Sequence, residues 1–275
     1  MRVPRLRPAV LVAALTAALT GVGGVAWSAT REPAIRTTTP SSASQITNID
    51  VLRQQIRNYY GDPLGTGTFA PDGNYAKEAG RVAADGSRWL DALARTPGRK
   101  AVVLDVDDTT LSTWNYEVAS NWDYDKAENG EYVTGQRFPA VPGMVAMVQR
   151  AQKQGYAVFY LTGRGAAQEQ ATLGNLTRDG IGVDAGYPVP ATLPDGEDGM
   201  FTKPAAGQGP DYLKQACAKD PGGACTTVHY KAATREQIEK QGYRIVGNFG
   251  DQDSDFSGGH ALRTFRLPNP NYVVP

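Results

Sequence analysis

The sequence predicts an α/β fold with a parallel sheet at its centre. Short apolar runs such as residues 101–104 and 156–161 have the length and composition of buried strands. Stretches in which apolar residues recur at helical spacing separate these runs. Strands that alternate with helices are typical of a parallel sheet whose faces are covered by the helices. With 275 residues, of which 41% are hydrophobic, the chain can bury a sizeable core around such a sheet.

The predicted elements begin with two helices, over residues 46–59 and 75–93, and a Thr-Pro-Gly stop signal at 96–98 ends the second. The predicted strands are short apolar runs at residues 101–104, 156–161, 226–230, 243–249 and 262–267. The run at 226–230 is the weakest of them. Three further helices are predicted between the strands, over residues 143–154, 166–178 and 232–241.

The N-terminal segment has the pattern of a secretory signal peptide. Three arginines within the first seven residues precede a run without charge over residues 9–27. Ala26 and Ser28 supply small residues at the positions that a signal peptidase reads, which predicts a signal peptide over 1–28. An uncleaved membrane anchor is the alternative, because the uncharged run approaches spanning length. The Ala, Thr and Gly content of the run favours cleavage, a secreted protein and no stable membrane insertion afterwards.

Composition limits what the remaining chain can do. The Thr-, Ser- and Pro-rich residues 29–45 are predicted to form a flexible linker to a single domain over residues 46–275. The 28 basic and 28 acidic residues balance, so there is no general electrostatic reason for the chain to bind a nucleic acid polymer. Two His and two Cys are too few for a zinc site built mainly from those ligands.

Cys217 and Cys225 are predicted to form a local disulfide. The segment between them contains Pro221, Gly222 and Gly223 and has the composition of a turn. An exported protein meets an oxidising environment, which favours pairing of two cysteines this close in sequence. The alternatives are a redox pair or half of a metal site, although the sequence lacks a Cys-x-x-Cys motif.

Acidic residues follow the first predicted strand. The sequence Asp-Val-Asp-Asp-Thr occupies residues 105–109, directly after the apolar run at 101–104. Ligands of open α/β sheets bind outside the carboxyl ends of the strands, so these side chains are predicted to face a ligand. Asp105 and Asp107 would lie close together there and require a cation or a proton to relieve the repulsion between their charges.

Two later strands end in residues of complementary chemistry. Thr162 and Gly163 follow the second strand and would place a hydroxyl and turn backbone at the same edge of the sheet. The acidic segment 251–255 follows the strand at 243–249, and Lys231 opens a predicted helix just upstream. The acidic segment also resembles the start of an EF-hand calcium loop, but it lacks the Gly and the Glu that such a loop needs. Each of these four segments is a weak signal alone. Together, in this order and at strand ends or at a helix start, they predict one site.

These four segments resemble the four motifs of the haloacid dehalogenase (HAD) superfamily. The stretch from residue 230 to 252 is more specific. It is similar to the acid phosphatase branch, subfamily IIIB, which includes plant vegetative storage and bacterial class B and lipoprotein acid phosphatases. The resemblance implies a HAD-like, Rossmannoid three-layer fold with a central parallel sheet and a small, mainly helical cap insertion. Asp253 departs from the family pattern, because plant members usually carry Trp there.

The resemblance also implies a role for each motif residue. Asp105 would attack phosphorus and form an aspartyl phosphate, and Asp107 would protonate the leaving oxygen and then activate water. Mg²⁺ would be held by Asp105, by the main-chain carbonyl of Asp107 and by Asp251. Thr162, Gly163 and Lys231 would bind the phosphoryl oxygens. Asp255 would support the loop of the fourth motif or the water molecules on the metal.

A long insertion, residues 111–141, follows the nucleophile motif and would form part of the cap. It is dense in aromatic residues, of which Trp114 and Tyr116 lie close enough to the motif to reach the mouth of the site. Rings at the mouth would stack on a flat leaving group, which predicts a nucleotide or aryl phosphate substrate. The alternative is that the rings form the cap's own small core.

The function implied by the resemblance is a secreted, Mg²⁺-dependent acid phosphatase that hydrolyses small phosphomonoesters. Two other functions stay open: a storage or binding protein on the same fold with vestigial activity, and a phosphotransferase that passes the phosphoryl group to an alcohol. The complete set of motif residues favours the enzyme. Homo-oligomerisation stays open as well, and Lys203 is an alternative to Lys231 as the phosphate-binding lysine.

Overall fold

The computed structural model describes residues 38–177 and 180–274. Within these residues one parallel sheet has the strand order β3-β2-β1-β4-β5. Its strands are β1 (Lys100–Leu104), β2 (Ala157–Gly165), β3 (Met200–Lys203), β4 (Arg244–Gly250) and β5 (Thr264–Arg266). The parallel sheet confirms the predicted fold class. The predicted signal peptide, residues 1–28, lies outside the described residues, as does most of the predicted linker.

Helices cover both faces of the sheet. Their bounds are α1 (Ile49–Tyr60), α2 (Asn74–Leu93), α3 (Trp114–Ala119), α4 (Lys126–Thr134), α5 (Met144–Lys153), α6 (Glu169–Leu176), α7 (Asp211–Ala216), α8 (Thr227–Lys240) and α9 (Asp253–Phe256). No helix in the described part of the chain is long and apolar enough to cross a membrane.

Strand β1 divides the core into two clusters, because successive side chains of a strand point to opposite faces. Val102 and Leu104 belong to the cluster that contains residues of α2 and α5. Ala101 and Val103 belong to the other cluster, with residues of α8. All five residues of β1 are buried, which explains the continuous apolar run that predicts this strand.

The register brings the ends of three strands to one edge of the sheet. Leu104, the last residue of β1, is paired with Tyr160 of β2 and with Phe249 of β4. The chain stays beside β4 for one more residue, since the Asp105 amide donates to the Phe249 carbonyl at 3.0 Å. The segments that follow β1, β2 and β4 therefore emerge together, as the carboxyl-end rule predicts.

The predicted strand at residues 226–230 is wrong, because these residues form the start of helix α8. The Thr226 side chain accepts the His229 amide at 3.2 Å, which caps the helix. Asp220 fixes the same end, with one carboxylate oxygen 2.9 Å from the Thr226 amide and the other 2.6 Å from His229 Nδ1. His229, which the strand prediction would place in the sheet, therefore lies in the first turn of a helix.

Strand β3 is the sheet element that the sequence analysis does not predict. It has four residues, Met200–Lys203, and only the first two are buried. Its register with β2 is interrupted between Leu161 and Gly165. A strand this short at the edge of a sheet lacks the long apolar run that marks β1 and β2.

The insertion after the nucleophile motif is helical, as predicted. Residues 111–141 contain α3 and α4. The two ends of the insertion meet at its base, where Leu111 forms an antiparallel bridge with Ala140. The Val141 amide donates to the Thr110 carbonyl at 2.8 Å, so the insertion leaves and rejoins the domain at one point.

The predicted disulfide is present between Cys217 and Cys225. It closes the loop that connects α7 to α8. Asp220, which fixes the start of α8, lies inside this loop.

Candidate active site

Asp105 is buried at the end of β1 and contacts one lysine. Lys231 Nζ lies 2.5 Å from Asp105 Oδ1 and 2.5 Å from Asp255 Oδ1. All three residues are buried, with at most 7% of each exposed. Lys231 reaches this position from the second turn of α8, so the helix places a fixed positive charge beside the predicted nucleophile.

Three carboxylates meet at this point. Oxygens of Asp105, Asp251 and Asp255 lie within 4.8 Å of one another. Burial raises the pKa of Asp105 to about 7, against the opposing effect of Lys231 and with further increases from Asp255 and Asp107. Burial, with Asp105 next in effect, also raises the pKa of Asp251 well above its usual value. A cation with oxygen ligands would relieve this repulsion, so the donor set fits a hard divalent ion such as Mg²⁺.

Asp255 organises the loop that carries Asp251. Its Oδ2 accepts the main-chain amides of Asp251 at 3.0 Å and of Gln252 at 2.9 Å, while its Oδ1 contacts Lys231. A side chain at Gly250 would collide with Asp255, because a Cβ there would lie 2.4 Å from the Asp255 Cβ. Asp255 thus fixes the main chain of the loop that carries Asp251.

Asp107 is the carboxylate of the motif that reaches solvent, with 31% of its side chain exposed. It is held by Arg164, which the sequence analysis does not identify as a site residue. Arg164 Nη2 lies 2.6 Å from Asp107 Oδ1, and its Nη1 donates to Thr172 Oγ1 at 3.1 Å. The available sequence signal is the position of Arg164, one residue beyond the predicted phosphate-binding turn.

Thr162 and Gly163 lie at the end of β2, at the same edge. Thr162 is buried, and its hydroxyl accepts the Arg164 amide at 3.1 Å. Gly163 is exposed, and a Cβ there would lie 3.7 Å from Thr227. Lys203, the alternative phosphate-binding lysine, contacts the Thr227 hydroxyl at 3.1 Å. The hydrogen bonds place Lys231, rather than Lys203, against Asp105.

A family model decides the class of this site. The model of HAD superfamily subfamily IIIB, the acid phosphatases, matches residues 28–275. The chain belongs to this family. It is a member of the acid phosphatase class of HAD hydrolases.

Individual relatives extend the comparison. Acid phosphatase 1 of Solanum lycopersicum is 29% identical over 205 residues, which cover 73% of this chain and 69% of that protein. Vegetative storage protein 2 of Arabidopsis thaliana is 27% identical over 237 residues, which cover 84% of this chain and 77% of that protein. The stem 28 kDa glycoprotein of Glycine max is 32% identical over 140 residues, or 50% of this chain, and the match spans 44% of that protein.

A solved structure shows the same fold. The class C acid phosphatase from Bacillus anthracis superposes with a TM-score of 0.55 and 20% sequence identity. The superposition covers 82% of this chain and 87% of that chain. The HAD-like acid phosphatase fold implied by the sequence motifs is therefore confirmed.

The expectation that Trp114 and Tyr116 stack on the substrate disagrees with their positions in this acid phosphatase fold. Trp114 is 0% exposed and Tyr116 is 1% exposed. Trp114 stacks on Tyr60 with ring centroids 4.0 Å apart, and its Nε1 donates to Asp62 at 3.1 Å. Other side chains cover both rings. Trp114 joins the insertion to α1, whereas Tyr116 lies within the insertion, 5.3 Å from the Tyr132 ring, which is the alternative that the sequence analysis left open.

Glu117 is a further buried carboxyl that the sequence analysis misses. It lies on α3, one turn after Thr113, and is 8% exposed. Thr113 donates its main-chain amide to Asp108 at 3.0 Å, so this face of α3 approaches the acidic motif of the phosphatase. Burial raises the pKa of Glu117 to about 8, and the charges of Asp108 and Asp107 add to the effect.

Proposed function

We propose that the protein is a secreted, Mg²⁺-dependent acid phosphatase that works through an aspartyl phosphate on Asp105. One observation carries the proposal: Asp105 is buried at the end of β1 against Lys231, while the neighbouring Asp107 is partly open to solvent. A fixed buried carboxylate suits a nucleophile, and an accessible one suits proton exchange with a leaving group and with water.

The carboxylates of Asp105 and Asp251 and the main-chain carbonyl of Asp107 would hold the Mg²⁺. This set of oxygen donors matches the preference of the ion. When bound, Mg²⁺ would neutralise negative charge between the nucleophile and an anionic phosphate ester. The raised pKa values of Asp105 and Asp251 support this assignment, because burial first, and the neighbouring carboxylates in addition, disfavour charges that a bound cation would stabilise.

The chain's own groups would carry the two chemical steps. In the first, an Asp105 oxygen bonds to phosphorus, the ester oxygen leaves with the bonding electrons, and Asp107 gives that oxygen a proton. In the second, water adds to phosphorus, Asp107 takes its proton, and the bond to Asp105 breaks to release phosphate. Lys231 and Thr162 would bind the phosphoryl oxygens, together with the turn at Gly163. Positioning and charge stabilisation of this kind dominate catalysis in phosphoryl transfer.

Substrate class and location belong to the same proposal. The substrates are small phosphomonoesters, because the chain belongs to an acid phosphatase family and its charge balance does not favour a polymer. The rings of Trp114 and Tyr116 are buried, so we propose no preference for nucleotides over other esters. Secretion is supported by the charge pattern of residues 1–28 and by the disulfide between Cys217 and Cys225.

A storage role is the second candidate function, and the similarity to vegetative storage protein 2 of Arabidopsis thaliana is the observation in its favour. The two candidates differ in turnover. The test measures release of phenol and of phosphate from an aryl phosphate, with EDTA and after Mg²⁺ is restored. We expect activity that disappears in EDTA and returns with Mg²⁺. A protein without turnover under any of these conditions would support the storage role.

Asp105→Asn separates the proposed mechanism from metal-dependent hydrolysis by another route. The side chain keeps its size, but an amide is a poor nucleophile, so we expect at least a 1,000-fold fall in kcat, on the order expected for loss of a nucleophile. Asp211→Asn is the matched control, because Asp211 is exposed on α7 and contacts Lys214 at the surface. Retention of more than about a tenth of the wild-type rate in Asp105→Asn would refute the covalent mechanism. In the presence of an alcohol, phenol release in excess of phosphate would reveal phosphotransfer.

A further inference from the structure

The chain does not leave the domain after β5. The Leu267 amide donates to the Gly250 carbonyl at 2.8 Å, and Leu267 is buried. Residues 268–274, here named the C-terminal strap, then run along the loop that carries Asp251. Neither the four motifs nor the sequence periodicity points to this segment.

Two side-chain amides contact the same oxygen of Asp251. Asn269 Nδ2 lies 2.7 Å from Asp251 Oδ2, and Gln252 Nε2 lies 2.6 Å from it. The other oxygen, Oδ1, accepts the hydroxyl of Thr109 at 3.1 Å. Asp251 is therefore held at both oxygens, and one of the groups that hold it comes from the strap. Residues that hydrogen-bond a ligating carboxylate fix its orientation for the metal.

The strap also sets which end of each amide faces Asp251. The Asn269 Oδ1 accepts the main-chain amide of Asn271 at 2.9 Å, so its NH₂ group is directed at the carboxylate. The Gln252 Oε1 accepts the main-chain amide of Val274 at 3.1 Å, with the same result. A primary amide has one oxygen and one NH₂ group, so occupying the oxygen leaves the donor end for Asp251.

Asn271 connects this arrangement to the insertion and to helix α1. Its Nδ2 donates to the Tyr60 hydroxyl at 2.9 Å, and its Oδ1 accepts Trp122 Nε1 at 3.2 Å. Tyr60 ends helix α1, and Trp122 lies in the insertion. Asn271 thus fixes the strap to the insertion and to α1. Asn269 and Val274, which lie before and after Asn271 in the sequence, fix the strap to the loop that carries Asp251.

We propose that the C-terminal strap sets metal affinity by orienting the Asp251 carboxylate toward the cation. Asn269 is a positioning residue that contacts this carboxylate directly. Val274 acts on it indirectly, because its main-chain amide orients Gln252, the second positioning residue. This inference rests on the proposed metal-dependent function. The strap residues touch neither the nucleophile nor the general acid in these hydrogen bonds. Their loss should therefore weaken Mg²⁺ binding while leaving turnover at saturating Mg²⁺ nearly intact.

The test uses the full chain and two variants of it. Asn269→Ala removes a donor from Asp251, and Val274→Pro removes the main-chain N–H that orients Gln252. Mg²⁺ dissociation constants are measured by titration calorimetry, and the melting temperature is measured in EDTA to verify the fold. We expect Asn269→Ala to weaken Mg²⁺ binding about 10-fold or more, the usual effect of removing a group that orients a metal ligand. Val274→Pro should weaken it in the same direction, and both variants should keep kcat within about twofold of wild type once Mg²⁺ saturates.

Two controls give each outcome one meaning. Asn58→Ala changes an exposed asparagine of α1 and should leave Mg²⁺ affinity unchanged. Asp251→Asn should abolish the calorimetric signal. If wild-type protein binds no Mg²⁺, the metal part of the proposed function fails. If the wild type binds Mg²⁺ and both strap variants bind it equally well, with unchanged melting in EDTA, the strap proposal alone is overturned.

Discussion

The Arg164 guanidinium holds the Asp107 carboxylate through two nitrogens, with Nη2 2.6 Å from Oδ1 and Nε 3.1 Å from Oδ2. Only 4% of the Arg164 side chain is exposed, and its Cζ lies over the Phe138 ring, 5.3 Å from the centroid. The pair joins the segment after β1 to the end of β2. A buried, planar and bidentate partner leaves Asp107 little rotational freedom, so the proposed general acid is preorganised at the mouth of the site.

Replacing Arg164 should impair catalysis more than binding. We expect Arg164→Met to lower kcat about 100-fold, within the range that a positioned general acid contributes. Arg164→Lys should recover little of this loss, because an ammonium cannot make the two parallel contacts. Steady-state kinetics on an aryl phosphate measure both variants. Arg150→Met is the matched control, since Arg150 makes a similar bidentate pair with Asp91 at the surface. A change in KM with kcat intact would contradict the positioning role.

Part of the site could be predicted from the sequence because three of its residues come at the ends of apolar runs. Asp105, Thr162 and Asp251 are each positioned by a strand. Because the carboxyl ends of parallel strands meet at one edge of the sheet, the three residues lie close together. The contact between Arg164 and Asp107 joins residues 57 positions apart, and no local pattern encodes its geometry. The C-terminal strap is similar, because it reaches Asp251 through tertiary hydrogen bonds.

The segment at 226–230 shows why local composition is insufficient. Its Thr, Val and Tyr favour a strand. In the structure, caps from Thr226 and Asp220 and burial of Tyr230 in the core stabilise a helix instead. Tertiary context overrides a weak strand propensity here. Tertiary context also decides the position of Trp114. This residue is close to the nucleophile motif in sequence, but that closeness does not determine the direction in which its ring points from α3.

Trp114 should contribute to stability and not to substrate choice. The ring is buried against Tyr60, so we expect Trp114→Ala to lower the free energy of unfolding by about 3–5 kcal/mol. Trp114→Phe should cost less and leave the protein folded for kinetics. The ratio of kcat/KM for an aryl phosphate to that for glycerol phosphate should be the same in Trp114→Phe as in the wild type. Tyr124→Ala, at a ring that is 69% exposed, is the stability control. A marked fall in the ratio for Trp114→Phe would restore the stacking hypothesis.

The disulfide between Cys217 and Cys225 should stabilise the fold by constraining the unfolded chain. The cysteines are eight residues apart, and the chain-entropy relation gives about 2–3 kcal/mol for a loop of that size. We expect the double variant Cys217→Ser, Cys225→Ser to lose this amount in urea unfolding. A reducing agent should destabilise the wild type similarly and leave the double variant unchanged. Detection of two thiols in unfolded, unreduced wild-type protein would show that the bridge does not form.

Glu117 should make stability fall as pH rises. Burial, with the charges of Asp108 and Asp107, raises its pKa to about 8 in the folded protein, above the ordinary value of 4.5. Below pH 4.5 the group is protonated in both states, so its ionisation costs the fold nothing. Between these pKa values the unfolded chain has already lost its proton, and this favours unfolding increasingly until about pH 8, where the folded state also ionises.

Glu117→Gln removes that penalty, since an amide of the same shape cannot ionise. The gain in unfolding free energy over the wild type should therefore be smallest at pH 4.5 and reach a plateau above pH 8. Its size is on the order of a few kcal/mol, because each unit of pKa shift corresponds to about 1.4 kcal/mol. Urea unfolding in EDTA at pH 4.5, 6.5 and 9 measures the difference. Glu131→Gln, at an exposed glutamate of α4, is the control and should shift stability little at any pH. A gain for Glu117→Gln that is equal at all three pH values would mean that the carboxyl has the same pKa in the folded and the unfolded protein, which would refute the raised pKa.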